Sequence, residues 1–171
     1  MKRTFFYVVW GAAISLGVLN ASDSLESIAD IRVAYAKVNK LAASITPEVV
    51  PVNDQSSEGG EAKIYKTKEG AVHLIRELLM GETGKWQREI YYANKEPFFI
   101  FEVTSRYNVP MYLPQFDVKK TERTEDRYYF LHGKMVRWLH GKESIKSVDP
   151  TFAKKERILL EEAREWLKRV K

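Results

Sequence analysis

Apolar residues recur at steps of three and four from Ile28 through Ile31, Tyr35, Val38 and Ala42 to Ile45. That spacing gathers them on one stripe of a helix, with Ser22, Asp23 and Ser24 ahead of it as N-cap candidates. An N-terminal helix is therefore expected within residues 22–45. The spacing also fits a heptad seam, but three heptads are few, so packing on the protein's own sheet is the expected use of the stripe. Residues 46–61, TPEVVPVNDQSSEGGE, hold no periodicity and are rich in Pro, Ser, Gly and acid, which predicts a flexible linker.

The texture then changes to short alternating runs. Strands are expected over 62–67, 71–80, 85–93, 97–104, 122–131 and 134–141, although 71–80 would also suit a helix. Gly81–Gly84 reads as a turn, and Asn94-Lys95 and His132-Gly133 read as two-residue hairpin turns. Two-residue loops would set Ile90 opposite Phe99, Trp86 opposite Val103 and Glu125 opposite His140. Tyr92, Phe99 and Phe101 would then share one face of the first hairpin, with Tyr91, Phe98 and Ile100 on the other. In the second hairpin Tyr128, Phe130, Met135 and Leu139 would share a face, opposite Tyr129, Leu131, Val136 and Trp138. Asp149-Pro150 opens a last helix whose apolar face is Leu159, Ala163, Trp166 and Val170, widened by Leu160 and Leu167. The predicted fold class is α+β: an antiparallel meander sheet of about six strands with one N-terminal and one C-terminal amphipathic helix. Residues 62–171 would form the sheet and C-terminal helix, one globular domain together with the N-terminal helix.

Neither face of the central hairpins is cleanly polar, whereas a sheet with one wet face alternates apolar and polar residues. Helices must cover part of this surface, and any uncovered remainder would be a binding surface. Of the 17 aromatic residues beyond residue 21, 13 lie between Trp86 and Trp138, which places the structured centre there. The hairpins also repeat: Ile90–Lys95 aligns with Tyr128–Gly133 at an offset of 38 residues. Two copies are too few for an array, so two neighbouring hairpins solving one packing problem is the expected meaning.

The start of the chain bears on compartment. Met1-Lys2-Arg3 is basic, Thr4–Leu19 is apolar or small, and Asn20-Ala21-Ser22 is small enough to cleave. This is the layout of a signal peptide over residues 1–21, cut after Ala21, and it predicts a periplasmic or secreted protein. The run is short for a spanning helix, so no stable membrane span is expected once the leader is removed. The alternatives are an uncleaved anchor or a buried first helix. There is no cysteine, which excludes disulfides, thiol catalysis, cysteine-bound metals and a lipid-modified cysteine anchor. The net charge is +5, and without Lys2 and Arg3 it is +3, from 26 basic and 23 acidic residues. So small an excess predicts no nucleic-acid partner, although it would favour anionic envelope components.

No catalytic motif appears. His73, His132 and His140 stand in no metal-ligand spacing, and there is no nucleophile elbow, P-loop or dinucleotide glycine pattern. No cofactor or metal is expected. A carboxylate beside His140, from Glu125 or Asp126, would be the one candidate for general-base chemistry. The stretch Ser105–Lys120, SRYNVPMYLPQFDVKK, is long for a connector and carries Tyr107, Met111, Tyr112, Leu113 and Phe116. It reads as a binding lip or as a cap on the core, with Arg106, Arg127 and Arg137 near it as donors for carboxylate or phosphate.

The text GETGKWQREIYYANKEPFFIFE, followed by DRYYFLHGKMVRWL, resembles a pattern in small exported bacterial proteins, in which aromatic strands alternate with Gly or Asn turns. The resemblance covers about residues 62–141 and implies no activity and no catalytic residue. The leading expectation is an exported non-enzymatic binding or inhibitor-type module. Its contact residues would be Tyr91, Phe98, Tyr107, Tyr112, Arg127, Tyr129 and Trp138 on a sheet face and the 105–120 loop. The alternatives are an envelope protein holding lipid or anionic polymer, and a hydrolase using a carboxylate–histidine pair.

Overall fold

A computed structural model describes residues 25–52 and 58–170. The leader at 1–21 and the middle of the 46–61 segment lie outside those residues. The first helix, α1, spans Ile28–Ala42. Its cap is Ser27 with Asp30, and the cap candidates Ser22, Asp23 and Ser24 lie outside the described residues. The Ser27 side chain accepts from the Asp30 amide at 3.2 Å, and the Asp30 carboxylate accepts from the Glu26 amide at 3.2 Å.

Eight strands follow: β1 Glu48–Pro51, β2 Gly60–Lys66, β3 Val72–Gly81, β4 Gly84–Ala93, β5 Glu96–Arg106, β6 Glu122–Leu131, β7 Lys134–His140 and β8 Glu143–Ile145. They pair in chain order as one antiparallel meander. The second helix, α2, spans Pro150–Arg169, with Asp149 capping the Thr151 amide and Pro150 in the first turn, as expected. The fold is α+β, with eight strands where the sequence suggests about six. The two additions are short edge strands. The first, β1, corrects the reading of 46–61 as a linker: Glu48–Pro51 pairs with β2, and its Val49 and Val50 supply the β-branched residues that Pro47 and Pro51 obscure. The second, β8, has three residues, too few for alternation to register.

Both hairpin turns are tight as read. Asn94 and Lys95 have φ of 51° and 66°, and His132 and Gly133 have 50° and 71°, the left-handed pair of a type I′ turn. Each hairpin then carries a bulge that the turns do not reveal. Tyr91 faces Phe99 while Tyr92 faces Pro97, which leaves Phe98 extra; Tyr129 faces Arg137 while Phe130 faces Met135, which leaves Val136 extra. Phe98 and Val136 are themselves 38 residues apart, so the repeat extends to its irregularity. A one-residue slip turns side chains over. Ile90 therefore faces Ile100, Trp86 faces Thr104, and Asp126 rather than Glu125 faces His140.

The faces sort accordingly. Leu74, Tyr91, Phe98, Phe99 and Tyr129 pack under Ile31, Ala34, Val38 and Ala42 of α1. Ile75, Ile90, Tyr92, Ile100, Tyr128 and Phe130 pack under Phe152, Leu159, Ala163 and Trp166 of α2. Tyr91 and Tyr92, adjacent in the chain, thus belong to opposite cores. The protein is three layers deep, with one helix on each side of the sheet.

Candidate functional site

The two helices decide which aromatic residues remain reachable. Tyr91, Phe98 and Tyr129, three of the expected contact residues, are buried in the layer beneath α1. Tyr91 donates to Glu89 at 2.5 Å and to Asn39 of α1 at 3.3 Å. Burial, reinforced by the Glu89 bond, pushes its phenol far above the usual tyrosine range, so it remains a neutral structural donor.

What stays open is a groove of about 370 Å³ where α1 stops short of β6. Its floor is Phe99, Phe101 and Tyr129, and its wall on α1 is Ile31, Arg32 and Tyr35. The rings interlock: Tyr35 meets Phe99 edge-on at 5.5 Å, and Phe99 meets Tyr129 at 5.0 Å. The Arg127 guanidinium, which lines the groove, lies 5.5 Å from the Phe101 ring, and Arg137, outside the lining, lies 5.8 Å from the Tyr129 ring. Arg127 is held by Glu125 and by the Gly141 carbonyl at 3.3 Å, while Arg123 takes the other oxygen of Glu125. Arg32 is exposed at the rim. Arg127, singled out in the sequence, belongs here; Arg32, Tyr35, Phe99 and Phe101 were not singled out. Phe101 and Arg127 meet across β5 and β6, which a long loop joins, so no turn fixes their register in advance.

The α2 side carries a different constellation. Glu77, Arg88, Glu102, Asp126, His140 and Glu143 succeed one another as direct cross-strand partners from β3 to β8. The inner part is buried. Arg88 donates to Glu77 at 2.6 Å and pairs with Glu162 of α2, and Glu102 accepts from Tyr128 at 2.9 Å and Lys155 at 3.0 Å. Burial works against the Arg88 charge, but Glu77, Glu162 and Glu102 outweigh it and hold the guanidinium ionised. At the outer end Asp126 Oδ1 accepts from Trp138 Nε1 at 2.7 Å and lies 2.9 Å from His140 Nδ1. Trp138 therefore faces α2, packed on Phe152 at 6.4 Å, and not the α1 groove. His140 is about half exposed, and among the described residues no hydrogen bond reaches its Nε2. It is an oriented imidazole without a reacting partner beside it. His73, the extra residue of the β2–β3 bulge, is buried with no partner for either ring nitrogen. Burial holds its pKa below the usual value, with the nearby Tyr92 backbone acting in the opposite sense.

The 107–121 loop is self-packed at its base and bare at its tip. Tyr107 and Phe116 meet edge-on at 5.1 Å. Asn108 clasps the loop, donating to the Gln115 carbonyl at 2.9 Å and accepting from the Asp117 amide at 3.0 Å. Tyr112 is 66% exposed. Among the described residues, no group of three or more His, Cys, Asp or Glu could hold a metal, and no helix is long and apolar enough to cross a membrane. Comparison of the chain with protein-family models, with curated proteins and with solved structures returns no match.

Proposed function

We propose that this protein is an exported, non-enzymatic binding module, periplasmic or secreted after loss of its leader, and that its binding surface is the α1 groove. The observation that carries the reading is that α1 covers Tyr91 and Phe98 but leaves beside it a groove lined by the edges of Phe99, Phe101 and Tyr129, with Arg127 over the Phe101 ring. Aromatic and arginine side chains are the anchors that dominate protein interfaces. Their combination favours a segment of a partner protein that offers an apolar side chain flanked by carboxylates, the apolar group on the floor and the carboxylates on the arginine rim. An anionic polymer would engage the rim and leave the floor unused. A lipid inside the sheet is disfavoured, because Phe152, Leu159, Ala163 and Trp166 occupy the face that would hold it. The Asp126–His140 pair lies on the α2 side of the sheet, away from this groove.

The test is selection of displayed random peptides on the full chain. Enrichment of peptides with an aromatic or aliphatic residue beside Asp or Glu is expected. Arg127→Ala combined with Tyr35→Ala should weaken them at least tenfold, with circular dichroism below the thermal midpoint confirming that the double variant is folded. Peptides without such a motif, or equal binding to the double variant, would overturn the reading.

A further inference from the structure

We infer that the 107–121 loop is a docking device for an anionic membrane surface, separate from the α1 groove and independent of it. Met111, Tyr112, Leu113 and Val118 are all exposed, a concentration of bare apolar side chains within one short segment. Isolated exposed apolar residues need no explanation, but a cluster on one projection does.

The projection is built to hold its shape. Its base is stitched to the turn between β3 and β4: the Tyr107 amide donates to the Thr83 carbonyl and the Met111 amide to the Glu82 carbonyl, each at 2.9 Å. Gly84 lets the two connections meet, since a Cβ there would stand 2.2 Å from the Ser105 carbonyl oxygen. At the tip, the Leu113 amide donates to Pro110 and the Phe116 amide to Leu113, both at 3.0 Å, so the backbone turns twice instead of running extended. A folded tip offers no free strand edge to a protein partner, and it presents its side chains outward as a knob.

Charge identifies the occupant. Lys119 and Lys120 stand on the loop itself, with Lys85, Arg106 and Arg123 on the strand ends beside it, against Asp117 on the loop and Glu82 and Glu122 next to it. Lys85, Arg106, Lys119 and Lys120 are exposed, as are Glu82 and Glu122, while Arg123 is paired with Glu125. Asp117 accepts from the Lys119 amide at 2.9 Å and lies 4.0 Å from the Lys120 ammonium, which leaves the Lys119 side chain as the loop's unpaired cation among the described residues. An exposed apolar tip on the same loop as exposed lysines matches the two-part recognition of an anionic bilayer, shallow insertion plus headgroup attraction. Tyr112, with a ring and a hydroxyl, has the form of side chain that settles at that boundary.

The chain has no cysteine, so one introduced by Tyr112→Cys in the full chain and labelled with a polarity-sensitive fluorophore reports this loop alone. Val33→Cys, on the exposed outer side of α1, is the control. Vesicles of phosphatidylcholine with an equal share of phosphatidylglycerol should shift the Tyr112→Cys emission to the blue and leave the control unchanged. Pure phosphatidylcholine should do little, and high salt should reverse the shift. Lys119→Glu with Lys120→Glu should raise the lipid concentration needed by roughly tenfold or more. The variants keep the Asn108 clasp, and an unchanged thermal midpoint checks folding. No shift on anionic vesicles, an equal shift on neutral ones, or an equal shift at the control overturns the inference. A shift without lipid that grows with protein concentration also overturns it, and assigns the loop to self-association.

Discussion

Arg88 and Glu77 form an ion pair in a place where ions are expensive. Both are buried, and among the described residues one oxygen of Glu77 has no hydrogen-bond partner. Removing the cation strands the anion, so Arg88→Met should lower unfolding free energy by roughly 3–5 kcal/mol. Removing both is different. Glu77→Leu with Arg88→Met leaves Glu102 its bonds from Tyr128 and Lys155, and leaves Glu162 exposed to water. The double variant should recover most of the loss in a urea titration, and a double variant as unstable as the single would show that the pair stabilises the fold outright. Tyr92 illustrates the same economy without charge: its buried hydroxyl donates to the Ala163 carbonyl of α2 at 2.9 Å, so a polar group inside the core still has its partner.

The hairpins show what local sequence can and cannot specify. Their turns were legible because Asn, His and Gly tolerate positive φ, and the strands beside them were legible from their aromatic and β-branched residues. The bulges were not, because Phe98 and Val136 are ordinary strand residues that carry no local signal for an extra position. That slip moved Trp138 to the α2 face, away from Tyr129, and brought Asp126 instead of Glu125 to His140. The two edge strands were hidden by prolines and by shortness. Because the turns repeat, they can be compared directly. Lys95 holds φ 66° with a full side chain, where its counterpart is Gly133 at 71°. Lys95→Gly should relieve the left-handed strain and stabilise the fold by about 0.5–1 kcal/mol, net of the extra freedom glycine gives the unfolded chain. For a domain of this size that is a rise of about 1–4 °C in thermal midpoint. Gly133→Lys should lower the midpoint by a similar amount, and a fall with Lys95→Gly or a rise with Gly133→Lys would refute the type I′ assignment.

The two helices are attached unequally, and the groove depends on the weaker one. On α2, Phe152, Leu159, Leu160 and Trp166 are large and buried, and Lys155, Glu162 and the Ala163 carbonyl reach polar groups inside the sheet. On α1 the buried residues are Ile31, Ala34, Val38 and Ala42, mostly small, and Asn39 is its main polar tie, to Tyr91 and to Arg76 at 3.0 Å. Apolar burial stabilises in proportion to area, at about 25 cal/mol per Å², so α1 gains less from docking than α2. Sequence periodicity made both helices legible as amphipathic, but the size of the residues that end up buried depends on which strands each helix meets. Hydrogen exchange followed under native conditions should therefore find two classes. Amides of α2 and of the central strands should exchange only through global unfolding. Amides of α1 should exchange through a local opening of lower free energy, with little dependence on denaturant. Such an opening would uncover Tyr91, Phe98 and the rest of Tyr129, extending the groove floor along the aromatic layer that the sequence first marked as a contact surface. A peptide bound in the groove should then slow exchange in α1 more than anywhere else, by mass action on the closed form. Equal protection of both helices would mean that the groove is a fixed rim, and the aromatic layer beneath α1 would be core alone.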